Sequence, residues 1–394
     1  PAAALAPGTP FSPSTPTPKY EMRTFSIGHA GFLTLGAFAL TSAALCTPTA
    51  GVLDNKNTDD TPLIEADQAI PPGTVFVEGG NTKVGTKANS IEELLQTESY
   101  QGLARTLDGE TPQHTVKVAP FFIGKYEVTN EQYLQFVNAT GHRPPEHWGQ
   151  EAIIAAQTEF GKNEAEKAKA ATDAGEKYVR QRWNDVLKQQ WWSENWSKVD
   201  WSIPKGLENA PVVFVDHEDA SQYCEWAGVR LPTEEEWIHA GRADKDQWFP
   251  WGDEWDAQGR AHTSEIGRKK LFPVGSFANG ASPYGVQDMS GSVWEWTSSP
   301  YSSYPKFKPN KYKVKKTGRK SEPLEPTPKW DANQRVVMGG AFQFGLIAAR
   351  LTTRRATDRT QTTDGLGFRV AVSATPGRDK AAAIWSGLIR NSLA

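Results

Sequence analysis

The sequence predicts a mixed α/β, loop-rich domain carried behind an N-terminal transmembrane helix. Three observations predict it: an uncharged apolar run near the N-terminus, short strand and helix signals from Pro71 onward, and long Gly- and Trp-rich stretches with little periodicity. The 394 residues suffice for one large domain or two ordinary ones, and 15 Trp, 17 Phe and 10 Tyr supply apolar mass for a core. A formal net charge of -3 exerts no global pull toward nucleic acid or an acidic membrane. No RNA- or DNA-binding signature is present, so nucleic acid is not an expected partner. The two cysteines, Cys46 and Cys224, lie in unlike surroundings and set up neither a disulfide framework nor a thiolate metal cage.

Residues 1–24 are rich in Pro, Ala, Ser and Thr, which favours an extended tail that buries no core. Residues 25–47 are the expected transmembrane helix. Ser26 to Cys46 carries no Asp, Glu, Lys or Arg, and Pro48 ends the pattern. Roughly 20 apolar residues at a rise of about 1.5 Å span a bilayer core, and Gly28, Gly31, Gly36, Ala37 and Ala43 suit close helix packing. Lys19 and Arg23 precede the run, whereas Asp54, Asp59 and Asp60 with Lys56 follow it. The positive-inside rule places the N-terminus in the cytoplasm. The expected localisation is the bacterial inner membrane, single-pass, with the main domain periplasmic. An uncleaved signal anchor is expected; a signal peptide starting near Met22, or lipidation at Cys46, are the alternatives, although Leu45 is a poor residue before a lipidated cysteine.

Residues 48–72 read as a linker and 73–375 as the globular domain. "GTVFVEGG" and "HTVKVAPFFIGKYEVT" have the β-branched and aromatic content of strands bounded by Gly and Pro. In "TNEQYLQFVNATG" Thr129 and Gln132 have capping-box spacing, and Gly141 closes the helix. "DHEDASQYCEWAGVRLPTEEEWIHAGRA" repeats the device: Asp216 opens one helix, Gly228 stops it, and Thr233 with Glu236 opens the next. Cys224 lies on the first of these helices beside Tyr223 and Trp226, as a buried small hydrophobe would. "FPWGDEW", "NGASPYGVQDMSGSVWEWTSS" and "VVMGGAF" suit long, well-packed loops.

Within the domain, about residues 150–190 are Ala, Glu and Lys rich and read as a helical insert. The adjoining "WWSENWSKVDW" is a docking surface, a membrane-interface contact or, by the commoner use of Trp, core packing. About residues 305–325 form a basic loop that meets an acidic partner or lipid headgroups, or is solvated. Residues 376–394 read as a C-terminal amphipathic helix or tail, with Ile384, Trp385, Leu388 and Ile389 on one stripe. In "GHRPPEHW", His142 and His147 are five apart with prolines between, which is no helical metal pair; a surface or hydrogen-bonded role is favoured.

"VVFVDHEDASQYCEWAGVRLPTEEEWIHAGR", "FPWGDEW", "YGVQDMSGSVWEWTSS", "VVMGGAF" and "GLGFRVA" stand in the order and approximate spacing of the formylglycine-generating enzyme family, the sulfatase-modifying factors, which this chain resembles from about Gly73 to Ser373. The resemblance implies the formylglycine-generating-enzyme (C-type-lectin-like) fold with bound calcium. It also implies where copper would sit, on two cysteines that follow the "GG" motif. Those positions fall at or near Phe344 and Ala349 here. Copper(I) requires soft thiolate ligands, which phenyl and methyl groups cannot supply. Catalytic residues and copper are therefore not expected. Another branch of the family adds an N-terminal iron-binding helical domain, but His29 is the only histidine before residue 114.

For calcium the resemblance implies the carboxylates of Asp288 and Glu295 and the backbone carbonyls of Gly291 and Val293, hard oxygen donors on an irregular loop. The alternative is that both carboxylates only accept backbone or Arg hydrogen bonds. Ser292 replaces the family's Asn, and a further calcium site is eroded around His262. Arg369 is expected to anchor the fold. The chain thus reads as a non-enzyme: a catalytically inactive, membrane-anchored structural or docking subunit of a membrane protein complex. Its expected partners are the lipid bilayer and other subunits, met through the tail, the transmembrane helix, the Trp-rich insert or the C-terminal helix. A lectin-like ligand-binding module, or an enzyme with an unrecognised centre, are the alternatives.

Overall fold

The computed structural model describes residues 73–168, 185–266, 270–314, 323–326 and 328–374. The chain divides into two units, residues 1–63 and 64–394, and everything described belongs to the second. The expected tail, transmembrane helix, linker and C-terminal helix lie outside the described residues, as do 169–184 of the insert and 315–322 of the basic loop. Among the described residues no helix is long and apolar enough to cross a membrane.

Strand β1 (Thr74–Val77) leads into β2 (Gly80–Val84), which pairs antiparallel with β3 (His114–Val118). Between them lie two short helices, α1 (Ala88–Leu94) and α2 (Ala104–Asp108), joined through a 3-10 turn over Glu98–Leu103. Strand β4 (Phe121–Gly124) then returns between β1 and β11 (Ala371–Ser373), so both ends of the domain close on one central strand. Phe121, Phe122 and Ile123 are all buried, as expected of a strand covered on both faces rather than one. A second sheet holds β5 (Trp294–Tyr301), β8 (Asp331–Met338), β9 (Arg355–Thr357) and β10 (Leu366–Gly367) in the order β10-β5-β8-β9. Two residues each of β6 (Tyr312–Lys313) and β7 (Pro323–Leu324) pair beside it in sequence.

The three capping boxes form as their spacing predicts. Helix α3 (Asn130–Thr140) starts on Thr129, whose side chain accepts from the Gln132 amide, and stops at Gly141 with φ 71°. Helices α6 (His217–Ala227) and α7 (Glu234–Arg242) start on Asp216 and Thr233 with the same reciprocal bonds. Each cap contributes about 1 kcal/mol. More decisively, each fixes which helix face turns inward. Tyr133, Phe136, Tyr223, Trp296 and Phe368 form one core cluster; Trp237, Ile238, Met289, Met338 and Leu351 form a second.

The insert supplies α4 (Gln150–Ala168) and α5 (Asp185–Asn195). Its tryptophan cluster packs: Trp192 is buried, its indole N–H donates to the Pro144 carbonyl at 2.8 Å, and its ring closes on Gly149, where a Cβ would stand 2.2 Å away. The first half of the basic loop also folds in. Tyr312 and Val314 join Ile91, Leu95 and Leu107 in a third cluster beneath α1 and α2.

His142 and His147 take separate structural places. His142 shares a 2.9 Å hydrogen bond with Asp219, whose carboxylate Arg143 also holds. His147 sits 5.2 Å from the Phe214 ring with both ring nitrogens buried and unpartnered among the described residues, and burial pushes its pKa down to about 3. The unfolded chain takes up this proton near pH 6.5. The stability it contributes is therefore present above that pH and is lost as pH falls toward 3. In His147→Phe, acid scans should lose about 2.5 kcal/mol less between pH 7 and pH 4.5 than the parent. Parallel stability curves for the two proteins would count against the burial.

Candidate functional site

The "GG" loop turns on backbone that only glycine tolerates. Gly339 and Gly340 have φ 93° and 77°, and a Cβ on Gly340 would stand 2.8 Å from the Ala348 carbonyl oxygen. The chain then doubles back over Phe344. That residue's amide donates to the Ala341 carbonyl at 2.8 Å, and its carbonyl accepts from the Ser264 amide at 3.0 Å. Ala349 is pinned as well, its carbonyl accepting from the Ser290 hydroxyl at 2.8 Å. Phe344 is 42% exposed and meets Trp294 edge to face at 5.9 Å, whereas Ala349 is 1% exposed. The loop is built, and neither residue brings sulfur to it. Cys224, the one cysteine among the described residues, is buried in the first core cluster, and burial pushes its thiol well above the usual range. It is not a poised nucleophile.

Over this loop opens a cavity of about 580 Å³. Tyr100, Leu103 and Leu107 from the helical segment line one part, and Trp294, Phe344 and Ile347 another. Its charged members are Glu110, Glu265 and Arg355. Glu110 is fully buried and takes both arms of Arg350 at 2.7 and 2.8 Å, with the Thr86 hydroxyl donating at 2.9 Å. Glu265 accepts from the Trp255 indole at 2.6 Å. The helical wall was the part sequence reading missed. Its available signal was apolar Leu103 and Leu107, four positions apart.

The second feature is the Asp288 loop. Asp288, Gly291 and Ser292 have φ 61°, 86° and 61°, and a Cβ on Gly291 would lie 2.2 Å from the His262 carbonyl oxygen. Ser292 thus holds a left-handed conformation that Asn, the family's residue, adopts more readily. His262 itself lies buried among Phe272, Phe277 and Phe342 rings. The loop delivers Glu295 into the protein centre at the start of β5. There Arg369 donates from Nε at 2.5 Å and from Nη2 at 2.7 Å, and the Trp237 indole donates at 2.8 Å, both charges being fully buried. Arg369 also donates to the Gly124 and Gln287 carbonyls at 3.0 Å each. Glu295 therefore retains about one of its four lone-pair sites for a metal.

Asp288 accepts from the Gly275 amide at 2.5 Å, and burial pushes its pKa up to about 6. Glu127 is fully buried beside this group, with both carboxylate oxygens unpartnered among the described residues. Burial first and the Asp288 charge second hold it well above the usual range. Three carboxyl groups thus face one guanidinium; burial favours the neutral form of Glu127, and a cation would favour ionisation of the group. Among the described residues no three His, Cys, Asp or Glu side chains are arranged to hold a metal by themselves. Calcium would consequently draw on the Gly291 and Val293 carbonyls beside Asp288 and Glu295. That donor set fits a hard cation.

Residues 61–374 match the sulfatase-modifying factor enzyme 1-like domain. The chain is 31% identical over 291 residues to a hercynine oxygenase of Mycolicibacterium smegmatis, covering 71% of this chain and 58% of that protein. It therefore spans under two thirds of that relative. It is 32% identical to a formylglycine-generating enzyme of Streptomyces coelicolor, covering 67% of this chain and 82% of the relative. To the inactive C-alpha-formylglycine-generating enzyme 2 of Mus musculus it is 29% identical, covering 81% and 91%. A structure of PvdO from Pseudomonas aeruginosa aligns over 76% of this chain and 94% of its own, at 19% identity and a TM-score of 0.46. Active and inactive proteins thus share this domain, and the chain belongs to the sulfatase-modifying factor family.

Proposed function

We propose that this chain is a catalytically silent member of the family that binds in its cleft instead of oxidising there. In this reading it serves as a structural or docking subunit of a bacterial membrane assembly, anchored by residues 25–47 with its domain on the periplasmic face. The observation that carries the reading is Phe344, an exposed ring in the cleft wall at or near the position where the family resemblance implies a copper thiolate. Partner subunits and the lipid bilayer complete the site of action. The test is isolation of the native assembly from membranes. The full chain should co-purify with other subunits, and Ala348→Trp, which fills the cleft, should release it without lowering the unfolding temperature. Recovery as a free monomer with its N-terminal segment removed would sink the proposal.

A ligand-binding module is the second reading, favoured by the cavity's volume, which falls in the range of about 300–1,000 Å³ typical of small-molecule sites. Under either reading calcium is proposed at Asp288, Gly291, Val293 and Glu295, where it would neutralise the buried carboxylates and pin the loop. Chelator-washed protein should gain about 2.7 kcal/mol at calcium concentrations 100-fold above the dissociation constant. Asp288→Asn should remove that gain. An unfolding temperature indifferent to calcium would exclude the site.

A further inference from the structure

We propose that the Phe344 cleft binds a small amphiphilic carboxylate, its apolar chain seated among Leu103, Leu107, Phe344 and Ile347 and its carboxylate held by Arg355. The inference rests on the second reading, the cleft as a ligand-binding module, and names the chemistry it selects. Arg355 opens β9, lines the cavity, and lies with its guanidinium carbon 5.7 Å from the Trp294 ring centroid. Among the described residues its side chain has no ion pair and no hydrogen-bond partner. Its neighbours differ in this respect: Arg350 is held by Glu110, and Arg354 by Glu234 at 3.0 Å.

Both carboxylates that line the cleft are engaged elsewhere, Glu110 by Arg350 and Glu265 by Trp255. A half-buried guanidinium loses solvation, and burial alone pushes Arg355 down. Among the described residues no carboxylate offsets that cost, whereas a bound anion would. With one face over the indole, the planar fork can still present its N–H edge to two carboxylate oxygens. One cation matches a single negative charge better than a phosphate dianion.

Most of the remaining exposed lining of the cleft is apolar. Leu103 is 41% exposed and Phe344 42%, and these are two of the three exposed large hydrophobic residues among those described. Their convergence on one cavity marks a surface kept for an apolar ligand. The cleft volume of about 580 Å³ lies within the range of about 300–1,000 Å³ typical of small-molecule sites.

The test is calorimetric titration of the full chain, held in an amphipathic polymer, with decanoate, decan-1-ol and decyltrimethylammonium. Decanoate should saturate one site at least about tenfold more tightly than the alcohol, the worth of a charge-assisted hydrogen bond. The ammonium should bind more weakly than either. Arg355→Gln should bring decanoate to the level of the alcohol, Arg355→Lys should keep part of the preference, and Ala348→Trp should abolish binding of all three. Equal affinity for decanoate and decanol, or a preference that survives Arg355→Gln, overturns the carboxylate assignment while leaving the cleft as an apolar site. Failure of all three probes to saturate overturns the cleft as a site as well.

Discussion

Arg369→Met should cost about 3–5 kcal/mol of folding stability, the loss expected when one partner of a buried ion pair is removed. Arg369 is fully buried and makes two bonds to Glu295 and single bonds to the Gly124 and Gln287 carbonyls. Without it Glu295 keeps only the Trp237 indole, and Glu127 and Asp288 lose their one compensating charge. Burial works against the charge of Arg369, but Glu295, Glu127 and Asp288 outweigh it and raise its pKa. Chemical denaturation of the parent and variant measures the difference. Arg369→Lys should recover little, because an ammonium cannot span Glu295 and both carbonyls in one plane. A loss below about 1 kcal/mol in Arg369→Met, the scale of an exposed pair, would refute the buried-pair account.

Arg350→Met should have a comparable effect of about 3–5 kcal/mol, for the same reason but at the floor of the cleft. Glu110 and Arg350 are both fully buried, and the Thr86 hydroxyl that remains on Glu110 cannot balance its charge. The double variant Glu110→Leu with Arg350→Met should regain most of the loss, since apolar groups of similar volume often replace a buried pair at little cost. The Thr86 hydroxyl loses Glu110 but keeps the Thr352 hydroxyl at 2.8 Å as an acceptor, so little further cost remains. A double variant no more stable than Arg350→Met alone would show that packing, and not an orphaned charge, sets the cost.

The two pairs also differ in how visible they were. Arg369 follows "GF" in a motif and could be expected to anchor the fold, and Glu295 stands in "WEW". Their union was not readable, because 74 positions separate them and neither has a local partner. Glu110 and Arg350 lie 240 positions apart in segments without distinctive spacing. Local chemistry was the more legible part. The caps of α3, α6 and α7 could be located from Thr129, Asp216 and Thr233 because a side chain three residues from its partner amide needs no tertiary help. Strand β4 was legible as a strand, but not as the central strand on which β1 and β11 close.

The same division holds at the candidate site. Sequence by itself determined the family resemblance, the expectation that the family's copper positions fall at or near Phe344 and Ala349, and the candidate carboxylates Asp288 and Glu295. Each is a matter of residue type at a local position. Only the tertiary structure decided that Phe344 forms one wall of a cavity whose other wall comes from the helices near Leu103. Among the described residues it also left Arg355 without a carboxylate and Glu127 without a hydrogen-bond partner, and it engaged Glu295 with Arg369 and Trp237. The physical reason is that burial and charge compensation depend on groups brought together across hundreds of residues, whereas a cap, a turn or an absent thiolate depends on its neighbours in the chain.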